Sequence, residues 1–257
     1  MEKRLETLSG PAWEHVRYFT TTRLGGYSQG DWAGFNLGQH CGDKPSHVAK
    51  NRALLNTLLP SQPHWLQQVH GTQLYRALRP AQQVAGADYE QAPLADAAWT
   101  TAPNTVIAVL TADCLPIVIA DSQGTVVGVA HAGWRGLAAG VIARLFLQLQ
   151  QQAGPDAHWQ AWIGPAISQR YFEVGQEVYD AFVQKNSVSK CYFIATSTPH
   201  KYMADLAGLA ASQLASLAKD KLSIHLSLTC TYDKESRYYS YRRQAATGRI
   251  ATLAWLV

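Results

Sequence analysis

The chain has 257 residues, 47% of them apolar, and a formal charge of +4 from 22 basic and 18 acidic residues. That is ample for one large core or two small ones, and the charge is too mild and dispersed to argue for nucleic acid, although it suits an anionic small molecule. No apolar run approaches the ~18 residues of a membrane span, MEKRLETLSG lacks signal-peptide character, and Cys41, Cys114, Cys191 and Cys230 show no paired spacing. These features point to reduced thiols in a cytoplasmic protein.

Residues 13–20 alternate well enough for a strand, followed by the loop TTTRLGG at 20–26. Its two adjacent glycines permit close backbone approach to a ligand and Arg23 supplies a cation; an ordinary glycine turn with a solvated arginine fits the same residues. Residues 27–44 form a long loop rich in glycine, asparagine and aromatics, a length that in a compact domain suggests a contribution to a site. Pro45 opens a helix through Leu59, and Pro60 closes it. Residues 64–75 read as a strand, a bend at Gly71 and a second strand, with His70 at the bend. It is placed to face a cleft, though a satisfied structural histidine is the plainer reading. Residues 80–103 are polar and proline-bounded, a surface excursion in which 95–100 lead back toward the centre.

The central stretch, 106–152, carries three apolar β-branched runs at 106–110, 115–120 and 126–130. Turn residues at 121–124 make the last two a hairpin. After His131, Gly133-Trp134-Arg135-Gly136 opens one helix with Leu137, Val141, Leu145 and Leu149 on its apolar face, stopped by Gly154-Pro155. Further elements follow as a strand (158–163), a helix (171–182), a strand (191–195), a helix (203–218) and strands at 224–229, 237–241 and 250–256. No linker or internal repeat interrupts the chain, so residues 1–257 read as a single domain. Strands and helices without strict alternation give the α+β class, mixed sheet packed by helices.

His70, Cys114 and His131 each end a strand beside a tight turn. If the sheet brings those ends together, they match the three protein ligands of a catalytic zinc site with an open fourth position. Thiolate and imidazole suit Zn²⁺, with Cu as the second option. Amides at the Gly133–Gly136 helix start, reinforced by Arg135, would suit phosphate or carboxylate. Equally, Trp134 packs in the core and Arg135 is a surface charge. Asp113, next to Cys114, is a candidate for a carboxylate that supports the ligand set or handles protons, or a strand-end turn cap.

FTTTRLGG (19–26), GFNLG (34–38), NRALL (51–55), QVHGT (68–72), TADCLPIVIAD (111–121), AHAGWRGLAAG (130–140), IGPAIS (163–168), FEVGQEV (172–178) and SYRRQAATGR (240–249) occur in that order. Together they resemble the YfiH-type family, labelled multicopper polyphenol oxidase or laccase domain and identified as zinc-containing purine nucleoside phosphorylases. The resemblance spans nearly the whole chain. It implies an α/β/β/α-layered domain in which His70, Cys114 and His131 carry the metal. It implies phosphorolysis of adenosine and inosine, with adenosine deamination and methylthioadenosine phosphorolysis in some members. Within it, His70, Cys114, His131 and Asp113 are the expected catalytic residues, and Arg23, Gln68, Gly133 and Arg135 the expected contacts to nucleoside and phosphate. The chain departs at 20–22, with three threonines where two are usual, and at 237–241, where tyrosines replace common phenylalanines and bear on substrate fit. Three rivals stand beside this reading: a copper oxidase of phenols, a Cys-His hydrolase with Cys114 as nucleophile, and a peptidoglycan quality-control role.

Overall fold

Residues 115–121 and 127–132 are apolar at nearly every position, so neither face of these strands can meet water. In the computed structural model, which describes residues 5–81, 89–233 and 237–257, they pair antiparallel as Leu115–Asp121 and Val127–Ala132, with Ile117 opposite Ala130. The expected hairpin is closed by the Asp121 carboxylate, which accepts the amides of Gln123, Thr125 and Val126 at 3.2, 2.8 and 2.9 Å. This pair lies at the centre of a six-stranded sheet, in the order Leu222–Leu226, Trp159–Ile163, Leu115–Asp121, Val127–Ala132, Ala97–Thr100, Leu74–Arg76. The two outermost pairings are parallel and the inner three antiparallel. A second, antiparallel sheet runs Thr7–Leu8, Val16–Thr21, Ile250–Leu256, Ile107–Thr111, and a small third joins Phe193–Ala195, Lys201–Ala204 and Glu173–Gly175.

Period-two alternation sorts the buried side chains into three cores. Leu115, Ile117 and Ile119 face the helices Trp134–Ala139, Val141–Ala153, Gln176–Val183 and Leu206–Ala218. Val118, Ala120, Val127 and Val129 face Ile107, Val109, Ala254 and Leu256 across the gap between the two large sheets. On the far side of the four-stranded sheet, Ala108, Leu110, Leu253 and Trp255 pack with Leu55 of the helix Pro45–Asn56. The layers are therefore helix, sheet, sheet, helix, as the resemblance implies. Among the described residues no helix is long and apolar enough to cross a membrane.

Several expected elements differ. The helix after His131 is two helices, because Gly140 takes a left-handed conformation (φ 94°) that ends the first at Ala139 and turns the chain into the second. Within the supposed surface excursion, Ala97–Thr100 is a fully buried strand of the six-stranded sheet; residues 82–88 of that excursion lie outside the described residues. Of residues 64–75 only Leu74 and Tyr75 belong to a named strand, Leu74–Arg76. Residues 173–175 and 201–204, expected partly as helix, pair with each other as strands, so the helices begin at Gln176 and Leu206. Residues 237–241 form no strand; Tyr239 there is fully buried and its hydroxyl donates to the carbonyls of Trp32 and Ala33.

The long glycine-rich loop folds back on Arg23: Phe35 N–H donates to the Arg23 carbonyl at 2.9 Å and Gly34 holds φ 109°. A Cβ at 34 would collide with that carbonyl, and the conformation is unfavourable for any other residue. Gly34→Ala should cost at least about 2 kcal/mol, a fall of roughly 4–8 °C in Tm. An unchanged melting curve would show that the loop does not need this turn.

Candidate metal centre

His131 continues the face of Val127 and Val129, directly opposite Pro116 in the hairpin, so it points into the gap between the two large sheets at its open end. Cys114 immediately precedes the neighbouring strand, at the same end. His70 arrives on a loop and holds φ 59°, a left-handed conformation uncommon outside glycine. One ligand atom from each of the three residues lies within 4.8 Å of the others. Cys114 Sγ is 3.9 Å from His70 Nε2, and the two imidazoles stand edge to face with centroids 4.7 Å apart. The three sequence-predicted ligands thus converge.

The residue that assembles them was not foreseen. Asp96, fully buried at the start of the strand Ala97–Thr100, accepts a 2.9 Å hydrogen bond from His131 Nδ1. The same carboxylate accepts the amides of Val69, His70 and Gly71 at 3.2, 2.9 and 2.7 Å. Burial would raise its pKa, but the His131 and Gly71 hydrogen bonds, with the neighbouring positive charge, win and hold it below the usual carboxylate range. With Nδ1 spent on Asp96, His131 presents Nε2 to Cys114 and to any ion, the arrangement that orients metal-binding histidines. The sequence signal was an acidic residue standing alone between Ala95 and Ala97.

Two imidazole nitrogens and one thiolate form a borderline-soft set suited to Zn²⁺ and, second, to copper. The space they surround is kept open by Gly133, where a Cβ would stand 2.9 Å from His70 Cδ2 and 3.1 Å from Cys114 Sγ. The residues present therefore fit a metal ion. Their charges are coupled. Burial alone would raise the Cys114 thiol, yet the His131 imidazolium and hydrogen bonds from both histidines outweigh it and bring it to about 6. Burial would likewise lower His131, but the thiolate and Asp96 push it up to about 9.

The three residues line a cavity of ≈ 480 Å³ whose walls include Leu110, Ile167 and the rings of Tyr89, Phe172 and Tyr241. Gln68 is at this wall, and its amide pairs with the strand Ile107–Thr111, donating to the Leu110 carbonyl at 2.8 Å and accepting its N–H at 2.7 Å. Asp113, also at the wall and left-handed at φ 83°, accepts from Thr231 Oγ1 (2.7 Å), Ser240 Oγ (2.9 Å) and the Arg242 amide (2.6 Å). Its carboxylate ties the chain's last loop to the residue before Cys114. Gly133 caps the short helix behind the ligands. Arg135 is exposed, lies 4.4 Å over the Trp134 ring and is not among the cavity residues. Arg23 is not among them either; it stacks 4.7 Å over Tyr239 and donates to the Ala33 carbonyl. The arginines among the cavity residues are instead Arg242 and Arg249, neither of which stands in a local pattern associated with ligand binding.

Asp96→Asn removes the charge and one strong acceptor, and should weaken zinc affinity by about 10–100-fold in chelator competition. Unchanged affinity would mean that Asp96 serves the fold alone. In chelated protein, alkylation of Cys114 followed by peptide mapping should rise with pH through about 6 and be lost below it, as the thiolate protonates. A midpoint near the ordinary thiol value, about 8.5, would refute the coupled charge pair; added Zn²⁺ should suppress the reaction.

Residues 17–257 match the family described as multi-copper polyphenol oxidoreductase laccase. A purine nucleoside phosphorylase of Pseudomonas aeruginosa is 42% identical over 246 residues, covering 96% of each chain. The purine nucleoside phosphorylase YfiH of Escherichia coli is 40% identical over 252 residues, covering 96% of this chain and 98% of its own. Among solved structures, a Neisseria meningitidis protein superposes with a TM-score of 0.84 at 35% identity, covering 98% of both chains. YlmD from Geobacillus stearothermophilus gives 0.83 at 27%, covering 100% of this chain and 97% of that one. The layered fold, the convergent His-Cys-His group and these full-length likenesses agree, and the chain belongs to the laccase-domain family that includes the YfiH-type purine nucleoside phosphorylases.

Proposed function

We propose that the protein is a zinc-dependent purine nucleoside phosphorylase acting on adenosine and inosine, with inorganic phosphate as the attacking group. One observation carries the reading: His70, Cys114 and His131 meet at the wall of an aromatic-lined cavity of ≈ 480 Å³, within the range of small-molecule sites. The relatives' name supplies the reaction class and hence the two substrates. His70, Cys114 and His131 would hold the ion, which when bound supplies Lewis-acid polarisation of the purine or activation of water. Adenosine deamination and methylthioadenosine phosphorolysis fall within the same proposal. The rings of Tyr89, Phe172 and Tyr241 offer flat faces for a purine. Gln68 and Asp113 act as positioning residues, since the amide and carboxylate are already engaged by the protein. The reading takes residues 1–257 as one working domain. It places that domain in the cytoplasm, where reducing conditions preserve a reactive thiolate such as Cys114.

Copper fits the same donors, but a multicopper oxidase needs further clustered histidines. Among the described residues the only such group is this one. A second reading does have an observation behind it. Cys114, His131 and Asp96 follow one another as nucleophile, base and orienting carboxylate, the layout of a thiol hydrolase. Inosine phosphorolysis by wild type and Cys114→Ser, with zinc quantified in the same samples, separates the two. The phosphorylase reading expects zinc and activity to fall together in the variant, chelator to inactivate wild type and Zn²⁺ to restore it. Full phosphorolysis by chelated wild type, with activity lost and zinc retained in Cys114→Ser, would hand the site to the hydrolase reading.

A further inference from the structure

The helix start and Arg135 lie apart from the residues that line the cavity. The helix Trp134–Ala139 begins against the loop that carries His70, where a Cβ on Gly136 would stand 2.8 Å from the Gly71 carbonyl. Arg135 lies over Trp134, outside the cavity. The cavity itself nevertheless holds two arginines, and among the described residues no carboxylate lies within ion-pairing distance of either guanidinium.

Both arginines are held in place by the protein. Arg249 is half-buried and donates through one terminal nitrogen to the carbonyls of Thr247 and Gly248 at 2.9 and 3.0 Å. Its amide donates to Asn36 Oδ1 at 2.8 Å and its carbonyl accepts from Leu37 N. Its stem crosses Gly38 so closely that a Cβ there would stand 2.8 Å from Arg249 Cγ. The GFNLG motif thus acts as the bed on which Arg249 lies. Arg242 is fixed through its amide on Asp113, donates to the Glu173 carbonyl at 2.8 Å and lies 5.3 Å from the centre of the Phe172 ring. Between them, the strand Ile250–Leu256 sets Ile250 opposite Thr111, which places Thr111 beside the exit of Arg249. Thr111 lines the cavity, is 2% exposed, and its buried hydroxyl finds no hydrogen-bond partner among the described residues. A buried hydroxyl left so is unusual and has hydrogen-bonding capacity to spare for a ligand or an ordered water. His40, on the same wall, is brought down to about 4 by burial and by the charges of Arg249 and Arg52, a sign of the positive potential that gathers there.

We propose that Arg249, Arg242 and the Thr111 hydroxyl form the cavity's phosphate-binding site. Resting on the phosphorolysis reading for its occupant, the site takes inorganic phosphate. The same chemistry would accept the phosphate monoester of a nucleotide. Two guanidinium forks supply directional, charge-assisted hydrogen bonds to phosphate oxygens, and the hydroxyl supplies a third contact that water-free burial makes selective. Fixing both arginines beforehand removes most of the ordering that binding would otherwise require.

Calorimetric titration of the zinc-loaded protein with inorganic phosphate and, separately, with adenosine monophosphate tests the site without any turnover. Wild type should bind phosphate, and Arg249→Gln and Arg242→Gln should each weaken it by about tenfold or more, the effect of one lost charge-assisted hydrogen bond. Arg135→Gln should leave it unchanged, and zinc content should be equal in all three. Thr111→Val serves as an independent variant that keeps the side chain's shape. It should weaken phosphate binding while the ligand-free protein melts no lower, because an unsatisfied hydroxyl has been removed. The phosphate KM should rise in step with these losses while the nucleoside KM stays within about twofold. Binding of the nucleotide without phosphate would keep the site and remove phosphorolysis as its purpose. Phosphate binding that survives Arg249→Gln and Arg242→Gln, or that fails in Arg135→Gln, would overturn the assignment, as would a wild type that binds neither anion.

Discussion

The site depends on one buried carboxylate. Asp96 is shut off from water, so its charge must be met by protein donors, and it is met by four: three consecutive amides from Val69 to Gly71, and His131 Nδ1. Aiming successive amides at one acceptor requires the chain to curl, and His70 takes the left-handed conformation that does so. Such a conformation costs roughly 1–3 kcal/mol in a residue other than glycine and persists only where its surroundings enforce it. Asp96 is that enforcement. It fixes the imidazole that lies in the sheet and the loop that carries the other imidazole, so two of the three candidate ligands are placed by one group. Gln68 completes the restraint from the opposite side, by bonding as a surrogate strand to Leu110 of the four-stranded sheet. The loop is thereby pinned between both sheets.

The layered core and the ligand positions were legible in the sequence because both rest on local pattern. Continuous β-branched runs at 106–110, 115–120 and 126–130 read as strands buried on both faces, and turn chemistry at Asp121–Gly124 favours the hairpin. The ligands stand where polar, chemically able residues end those runs. What could not be read depends on contacts far apart in sequence. Asp96 is separated from the amides it accepts by a polar, proline-bounded stretch, and its short strand Ala97–Thr100 is too brief to announce itself by periodicity. Gly140 sits within an uninterrupted apolar stripe, so only packing shows that the helix breaks there. At 171–182 and 203–218 the helical stripe was real but its first residues were drawn into a small sheet that neither segment could form alone. Tertiary pairing overrode local propensity at those ends.

The arginines show the same division. Arg135 stands in a glycine-flanked helix start, the local pattern associated with anions, while Arg242 and Arg249 sit in an ordinary-looking polar tail. At that helix start the small residue Gly136 is used for close packing against Gly71. The tail is informative only once Asp113 and the GFNLG loop are seen to hold it. Asp113 was read as a proton-handling carboxylate or a turn cap; in the structure it joins the ligand-bearing turn to the loop that carries Arg242.

The choice between metal and nucleophile at Cys114 turns on His70. A thiol hydrolase needs one imidazole beside the sulfur and one group to orient it, and His131 with Asp96 provides both. A second imidazole adds little to that chemistry, yet here it is held 3.9 Å from the sulfur on a strained backbone, by the same carboxylate that orients the first. Gly133 adds to this, since its missing side chain leaves room among the three donors that a two-residue dyad would not require. Strain and empty space are retained where they are used, and an ion with three protein ligands uses both. The charges of Cys114 and His131 favour one another, since each draws the other toward its ionised form, and a thiolate is the form that a metal ion would bind.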